Sequence, residues 1–170
     1  MINKSKDNQL SLSADLKSVL TFRLAQLQNK LNASAIRVLK KHSDLSLVEW
    51  RILSMIHVWE GSPMSKLVKE SGMDKGQVSR NLKKLINRHY VSTTSNDLDG
   101  RQQHLYPSEK GTAIYLDLLP TIRQRQHQLT QGVNTEDLAV FSQVLDQLSE
   151  NVKTMTEAGS VTDGLEHTQV

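Results

Sequence analysis

A chain of 170 residues, 37% hydrophobic, 4% aromatic and 23% charged, has room for one ordinary domain or for a compact binding unit with long helical extensions, and its composition suits a soluble, helix-rich protein. The absence of cysteine excludes a disulfide framework, a thiolate zinc site and thiol-based peroxide sensing, and no apolar run approaches the roughly 20 residues of a bilayer span. The formal net charge of +3 is unevenly placed: Lys66, Lys69, Lys75, Arg80, Lys83, Lys84 and Arg88 face only Glu70 and Asp74 between Met64 and Ser92, whereas beyond Asn134 the acids from Glu136 to Glu166 oppose Lys153 alone.

Leu12, Leu16, Leu20, Leu24, Leu27, Leu31, Ala35 and Val38 recur at steps of three and four without Gly or Pro, which predicts one long amphipathic helix. A stripe of that length needs an equally long cover, from elsewhere in the chain or from a second copy. Leu47 to Val58 is expected as a short, largely buried helix, with Ser46 as N-cap and Gly61 beyond its end. Ser62-Pro63 is expected to restart a helix that runs to about Ser71. After Gly72-Met73, the spacing of Asp74 and Gln77 is that of a capping box, and Val78, Leu82, Leu85 and Ile86 supply the inward face of the next helix. Two short helices joined through a glycine turn are a helix-turn-helix signature.

Val91 to Thr94 and Gln102 to Pro107 read as the strands of a hairpin around the turn Ser95 to Gly100. Ser108 to Gly111 opens a further helix with Ile114, Leu118, Ile122 and Leu129 inward and a kink or break at Pro120. A last helix begins near Asn134-Thr135, with Leu138, Phe141, Leu145, Leu148, Val152 and Met155 on one face, and Gly159 to Val170 lack periodicity. The N-terminus lacks the apolar core and cleavage site of a secretory signal, so the cytoplasm is the expected location.

The helix opening at Asp74 carries the chemistry. Lys75, Gln77, Ser79, Arg80 and Asn81 lie where side chains reach base edges: arginine pairs with guanine and glutamine or asparagine with adenine, and Gly76 permits close approach. Lys83, Lys84 and Arg88, further along, are expected on phosphate. Arg101 at the hairpin tip suits a narrow minor groove, with Asp97 or Asp99 holding it in place. The six histidines make no metal-ligand spacing, and there is no phosphate-cradling loop, nucleophile elbow or carboxylate pair, so neither metal, cofactor nor enzyme is expected.

The run DLDGRQQHLYPSEKG from Asp97 to Gly111, with LVEWRIL and MDKGQVSRNLKKL before it, resembles the multiple antibiotic resistance regulator (MarR) family of winged-helix proteins over roughly Leu12 to Met155. Gly100 stands where the family commonly has a second arginine, and Pro107-Ser108 replaces its leucine-threonine. The resemblance implies a mainly α winged helix-turn-helix with a small hairpin wing and long terminal dimerisation helices. The helical dimerisation region would comprise 11–43 and 108–156, the DNA-binding region 46–107, with flexible termini at 1–10 and 157–170. It further implies a homodimer on a pseudo-palindromic double-stranded DNA site, commonly a repressor released by a small aromatic or phenolic acid or its thioester. Arg23, His42, Trp50, Arg51 and His57 are then the candidate effector residues, Arg51 pairing with a carboxylate. Two rival functions remain open: a helical adaptor whose basic helix binds an acidic protein, and a DNA-binding protein without ligand.

Overall fold

The computed structural model describes residues 18–95 and 103–163. It is mainly helical, in the order α1 (Leu20–His42), α2 (Leu47–Val58), β1 (Ser62–Pro63), α3 (Met64–Ser71), α4 (Lys75–Asn87), β2 (Val91–Ser95), β3 (Gln103–Pro107), α5 (Glu109–Thr130) and α6 (Thr135–Asp163). Two compact units divide the chain between Gln124 and Arg125.

In the first unit α2 is the central element. Its N-terminus is closed by a full capping box: Glu49 N–H donates to Ser46 Oγ at 3.2 Å, and Ser46 N–H donates to Glu49 Oε2 at 2.8 Å. Trp50, Ile52, Leu53 and Ile56 are all buried, so this helix is apolar on more than one side, as an element with neighbours around it must be. Leu39, Leu45, Leu67, Val78, Leu82, Leu85, Tyr90, Val91, Leu105 and Leu118 complete the core. On α1 the fully covered side chain is Leu39, not its neighbour Val38 at the end of the expected stripe, while Leu20, Leu27 and Ile36 stay exposed.

Ser62 and Pro63 do not begin a helix. They form β1, and Pro63 becomes the N-cap of α3 with extended backbone and no side-chain cap. The cause is the three-stranded antiparallel sheet of order β1-β3-β2, in which Ser62 lies opposite Leu105. Gly61, at φ +75°, donates its N–H to Leu105 O at 2.8 Å and accepts from His104 Nδ1 at 2.6 Å, which draws residues 61–63 onto the hairpin. The hairpin register runs from Val91 opposite Pro107 to Ser95 opposite Gln103, as expected of a wing. Its tip, with Asp97, Asp99 and Arg101, lies outside the described residues.

Pro120 does not break α5, which continues from Glu109 to Thr130. Proline deprives the carbonyl four residues back, that of Leu116, of its donor, and Leu116 is 57% exposed, where water can serve that carbonyl. Leu118 is fully buried and Ile114 and Ile122 pack beside the core, but Leu129, expected inward, is exposed.

The second unit holds the end of α5, the turn at Gly132 (φ +79°) and α6. Asn134 Oδ1 accepts the Glu136 N–H at 2.9 Å, and Glu136 and Asp137 occupy the first turn. The helix extends to Asp163, past the boundary expected at residue 156. On its expected face Phe141, Leu145, Val152 and Met155 are exposed, as are Val140 and Val144 outside that face.

Candidate nucleic-acid interface

Helix α4 is set between two fixed ends. At its start Gly72 takes the left-handed conformation (φ 64°, ψ 11°) that closes α3, and the Gln77 N–H donates to Asp74 Oδ1 at 2.9 Å. Val78, Leu82 and Leu85 are buried, which turns the opposite face outward. Lys75, Ser79, Arg80, Lys83 and Lys84 are exposed on that face, Gln77 and Asn81 are half-buried beside it, and no acidic residue follows Asp74 within the helix. Asn81 Nδ2 donates to Gln77 O at 2.9 Å, so part of its amide is already engaged by its own helix. A Cβ at Gly76 would stand 3.0 Å from both Arg80 Nη1 and Asp74 Oδ1, so the missing side chain gives the Arg80 guanidinium room to lie across the first turn. Four cations on one face and several amide and hydroxyl groups near the helix start are suited to phosphate and to base edges respectively.

The far end of α4 is held differently from the sequence expectation. Arg88, expected on phosphate, turns back into its own chain: Nη2 pairs with Asp44 Oδ2 and Nη1 with Glu49 Oε1 at 3.3 Å. The guanidinium also lies 4.9 Å from the centre of the Tyr90 ring, whose hydroxyl donates to Asp44 Oδ1 at 3.0 Å. Burial pushes the Asp44 and Glu49 carboxyls up. For Asp44 the bonds from Arg88 and Tyr90 outweigh it, and for Glu49 those from Ser46 with the Arg88 charge, so both end below the ordinary carboxylate value. Asp44, Glu49, Tyr90 and Lys110 were not singled out in the sequence. Only the Ser46-x-x-Glu49 spacing could have pointed to one of them.

Beyond Arg88 the chain is fastened to the start of α5. His89 takes φ +58°, Ser108 Oγ donates to His89 O at 2.6 Å and accepts the Gly111 N–H at 3.0 Å, and Lys110 Nζ donates to Arg88 O at 3.0 Å. Gly111 is required there, because a Cβ would stand 2.0 Å from Tyr90 O.

Of the expected effector residues, Trp50 and His57 come together on one ring: Tyr115 of α5 stacks with Trp50 at 5.5 Å and with His57 at 4.0 Å. His57 Nδ1 lies 2.9 Å from Leu53 O and donates to it in the neutral ring, which leaves Nε2 as an acceptor. Nε2 and the nearby Ser54 Oγ are buried without a hydrogen-bond partner among the described residues. Arg51 Nη2 donates to Asn32 Oδ1 at 2.7 Å. Arg23 and His42 do not join them in one pocket: both are exposed on α1, 19 residues and about 28 Å apart along the helix. One cleft of about 360 Å³ opens beside Leu39, Asp44, Leu45, Leu47 and Glu49, and none of the five expected residues lines it.

Residues 43–102 match a family model described as the MarR family. The HTH-type transcriptional regulator TcaR of Staphylococcus aureus is 27% identical over 128 residues, covering 74% of this chain and 84% of TcaR. Among solved structures, a MarR/EmrR family transcriptional regulator from Acinetobacter sp. ADP1 superposes with a TM-score of 0.74 at 24% identity, over 79% of this chain and 94% of that one. Bordetella bronchiseptica BpsR, whose DNA binding is regulated by 6-hydroxynicotinic acid, superposes with a TM-score of 0.61 at 15% identity, over 75% of this chain and 98% of BpsR.

Proposed function

We propose, from the premise that the chain belongs to the MarR family of transcription regulators, that it binds a pseudo-palindromic DNA site as a homodimer and represses transcription until a small aromatic acid releases it. The observation that carries the DNA contact is the outward face of α4, fixed by the Asp74 cap and the buried Val78, Leu82 and Leu85. Gln77, Ser79 and Arg80 near its start are assigned to bases, with Asn81 in support, and Lys75, Lys83 and Lys84 to phosphates. Arg101 is assigned to the minor groove, oriented by Asp97 or Asp99. Family membership displaces the adaptor reading, since these relatives are transcription regulators and not protein scaffolds or enzymes.

The exposed apolar face of α6 supports the dimer. A single copy leaves Val140, Phe141, Val144 and Met155 in water, and a second copy of the same chain removes them from it. The effector reading is supported by the aromatic stack of Trp50, His57 and Tyr115 and by Ser54 Oγ and His57 Nε2, buried without a hydrogen-bond partner among the described residues, which suit a ring and its hydroxyl; Arg51 on the same helix is assigned to a carboxylate. Such a ligand acts by changing the spacing of two α4 helices that must sit about 34 Å apart to enter successive major grooves. A cytoplasmic location is part of this proposal; among the described residues no helix is long and apolar enough to cross a membrane.

The test is duplex binding by fluorescence anisotropy across a range of salt. Strong dependence on salt together with preference for one palindrome over random duplex is the expected result, and equal affinity for both sequences would refute it. A panel of aromatic acids and thioesters, scored by melting temperature and by palindrome affinity, tests the effector. A ligand that stabilises the fold and weakens DNA binding is expected, and a panel without effect leaves a regulator without ligand.

A further inference from the structure

We propose that Arg88 is a positioning residue for base recognition: it clamps the end of α4 to the start of α2 through Asp44 and Glu49, and it is not one of the phosphate contacts. The proposal rests on α4 being the helix that reads DNA.

The Glu49 carboxylate has both oxygens committed. Oε2 closes the capping box of α2 and Oε1 receives Arg88, 39 residues away in sequence. Glu49 is only 5% exposed, so withdrawing Arg88 toward a phosphate would leave a nearly buried carboxylate without its cation. The geometry of the pairing argues the same way. The Arg88 guanidinium is already divided between two carboxylates, so a phosphate would have to displace both to engage it. Lys110 adds a second fastening on the same residue through the Arg88 carbonyl, and its ammonium sits 4.5 Å from the centre of the Tyr90 ring.

The lever explains why the clamp bears on specificity. Gln77 lies 11 residues before Arg88, about 16 Å along the helix. With the clamp released, the helix tilts about its buried middle at Leu82, 5 residues or about 7.5 Å from Gln77, and a tilt of about 10° there moves Gln77 by about 1.3 Å, more than the working range of a hydrogen bond to a base edge. Flexible lysines at Lys83 and Lys84 follow a phosphate through such a shift. Loss of the clamp therefore removes sequence choice and spares charge-driven binding.

The experiment compares the palindrome that the wild-type protein selects from a random library with an arbitrary duplex, at several salt concentrations. The proteins are wild type, Arg88→Ala, Asp44→Ala and the double variant, each checked for folding by circular dichroism. Arg88→Ala and Asp44→Ala should each lower palindrome affinity about tenfold with the random duplex and the salt slope unchanged, and the double variant should be no worse than Arg88→Ala. If Arg88→Ala weakens both duplexes equally and the salt slope falls by about 0.9, Arg88 is a phosphate contact and the proposal is wrong. Asp44 has a side chain 69% exposed, so its variant decides the matter even if Arg88→Ala fails to fold; an unchanged palindrome-to-random ratio in Asp44→Ala overturns the clamp. A wild-type protein without sequence preference overturns the DNA reading itself, a result separable from the behaviour of the variants.

Discussion

Replacing Gly111 with alanine introduces a single methyl group where the chain has least room for it. The new Cβ would lie 2.0 Å from Tyr90 O, 3.0 Å from Tyr90 C and 3.4 Å from Leu53 Cδ1. Since such contacts below 3.0 Å are essentially never seen, the backbone around Tyr90 and the first turn of α5 must separate by about 1 Å. That movement stretches the bonds that cross the junction: Ser108 N–H to Tyr90 O, Ser108 Oγ to His89 O, and Lys110 Nζ to Arg88 O. Overpacking of this kind costs about 1–3 kcal/mol, and each weakened hydrogen bond up to about 1 kcal/mol. Alanine returns less than about 1 kcal/mol through helix propensity, because the site is in the first turn. The net loss is about 2–4 kcal/mol, which for a chain of this size lowers the melting temperature by about 5–15 °C. Thermal melts of wild type and Gly111→Ala at equal protein concentration measure it, since any dimer makes the midpoint concentration-dependent. Gly132→Ala is the control: its site is open, so only the strain of φ +79° acts there and the loss stays near 1 kcal/mol. An equal or higher melting temperature for Gly111→Ala would refute the steric reasoning.

Arg80→Ala is expected to lower palindrome affinity by about 1–3 kcal/mol and to relax the choice of base at one position of each half-site, read by selection from a randomised duplex library; equal losses on specific and random DNA would remove it from base recognition. Phe141→Asp places a charge on the exposed apolar face of α6 and should shift sedimentation from dimer to monomer at micromolar concentration. The Glu49 carboxyl, held below its ordinary value of 4.5, stabilises the fold fully above that value and loses this contribution as pH falls through the lowered folded value. Urea melts from pH 6 to pH 3 should therefore show a gap between wild type and Glu49→Gln that is full near neutrality and closes on the acid side; a gap independent of pH would show that packing and not charge is responsible.

The elements closest to expectation are those whose signals are local. α4 follows from an aspartate before a 3-4 spacing of Val78, Leu82 and Leu85, and α2 from Ser46 before a run of apolar residues. What escaped detection depends on distant partners. The pairing of Arg88 with Asp44 and Glu49 is one case, since one sequence does not reveal which of many carboxylates a cation will meet. Tyr115 was likewise unremarkable until the packing of α5 laid it across Trp50 and His57. Ser62-Pro63 misled for a related reason: its local preference for a helix start was overridden by the pairing of Ser62 with Leu105. Pro120 shows the reverse case, a strong local breaker tolerated because the carbonyl it strands lies on the exposed side of the helix.

The shared use of the Glu49 carboxylate, closing one helix with one oxygen and gripping Arg88 with the other, has a practical bearing on rewiring the protein. A chimaera that imports another regulator's α4 to change its target would naturally be cut at Asn87, where the helix ends. If the donor's arginine came along into a host lacking an acid at position 49, or the host's acid faced a donor without the arginine, the transplanted helix would carry the intended side chains at the wrong angle. On the proposed role of α4, the unit to transfer is discontinuous: residues 74–88 together with Asp44, Ser46 and Glu49, which lie outside the segment a helix swap would move.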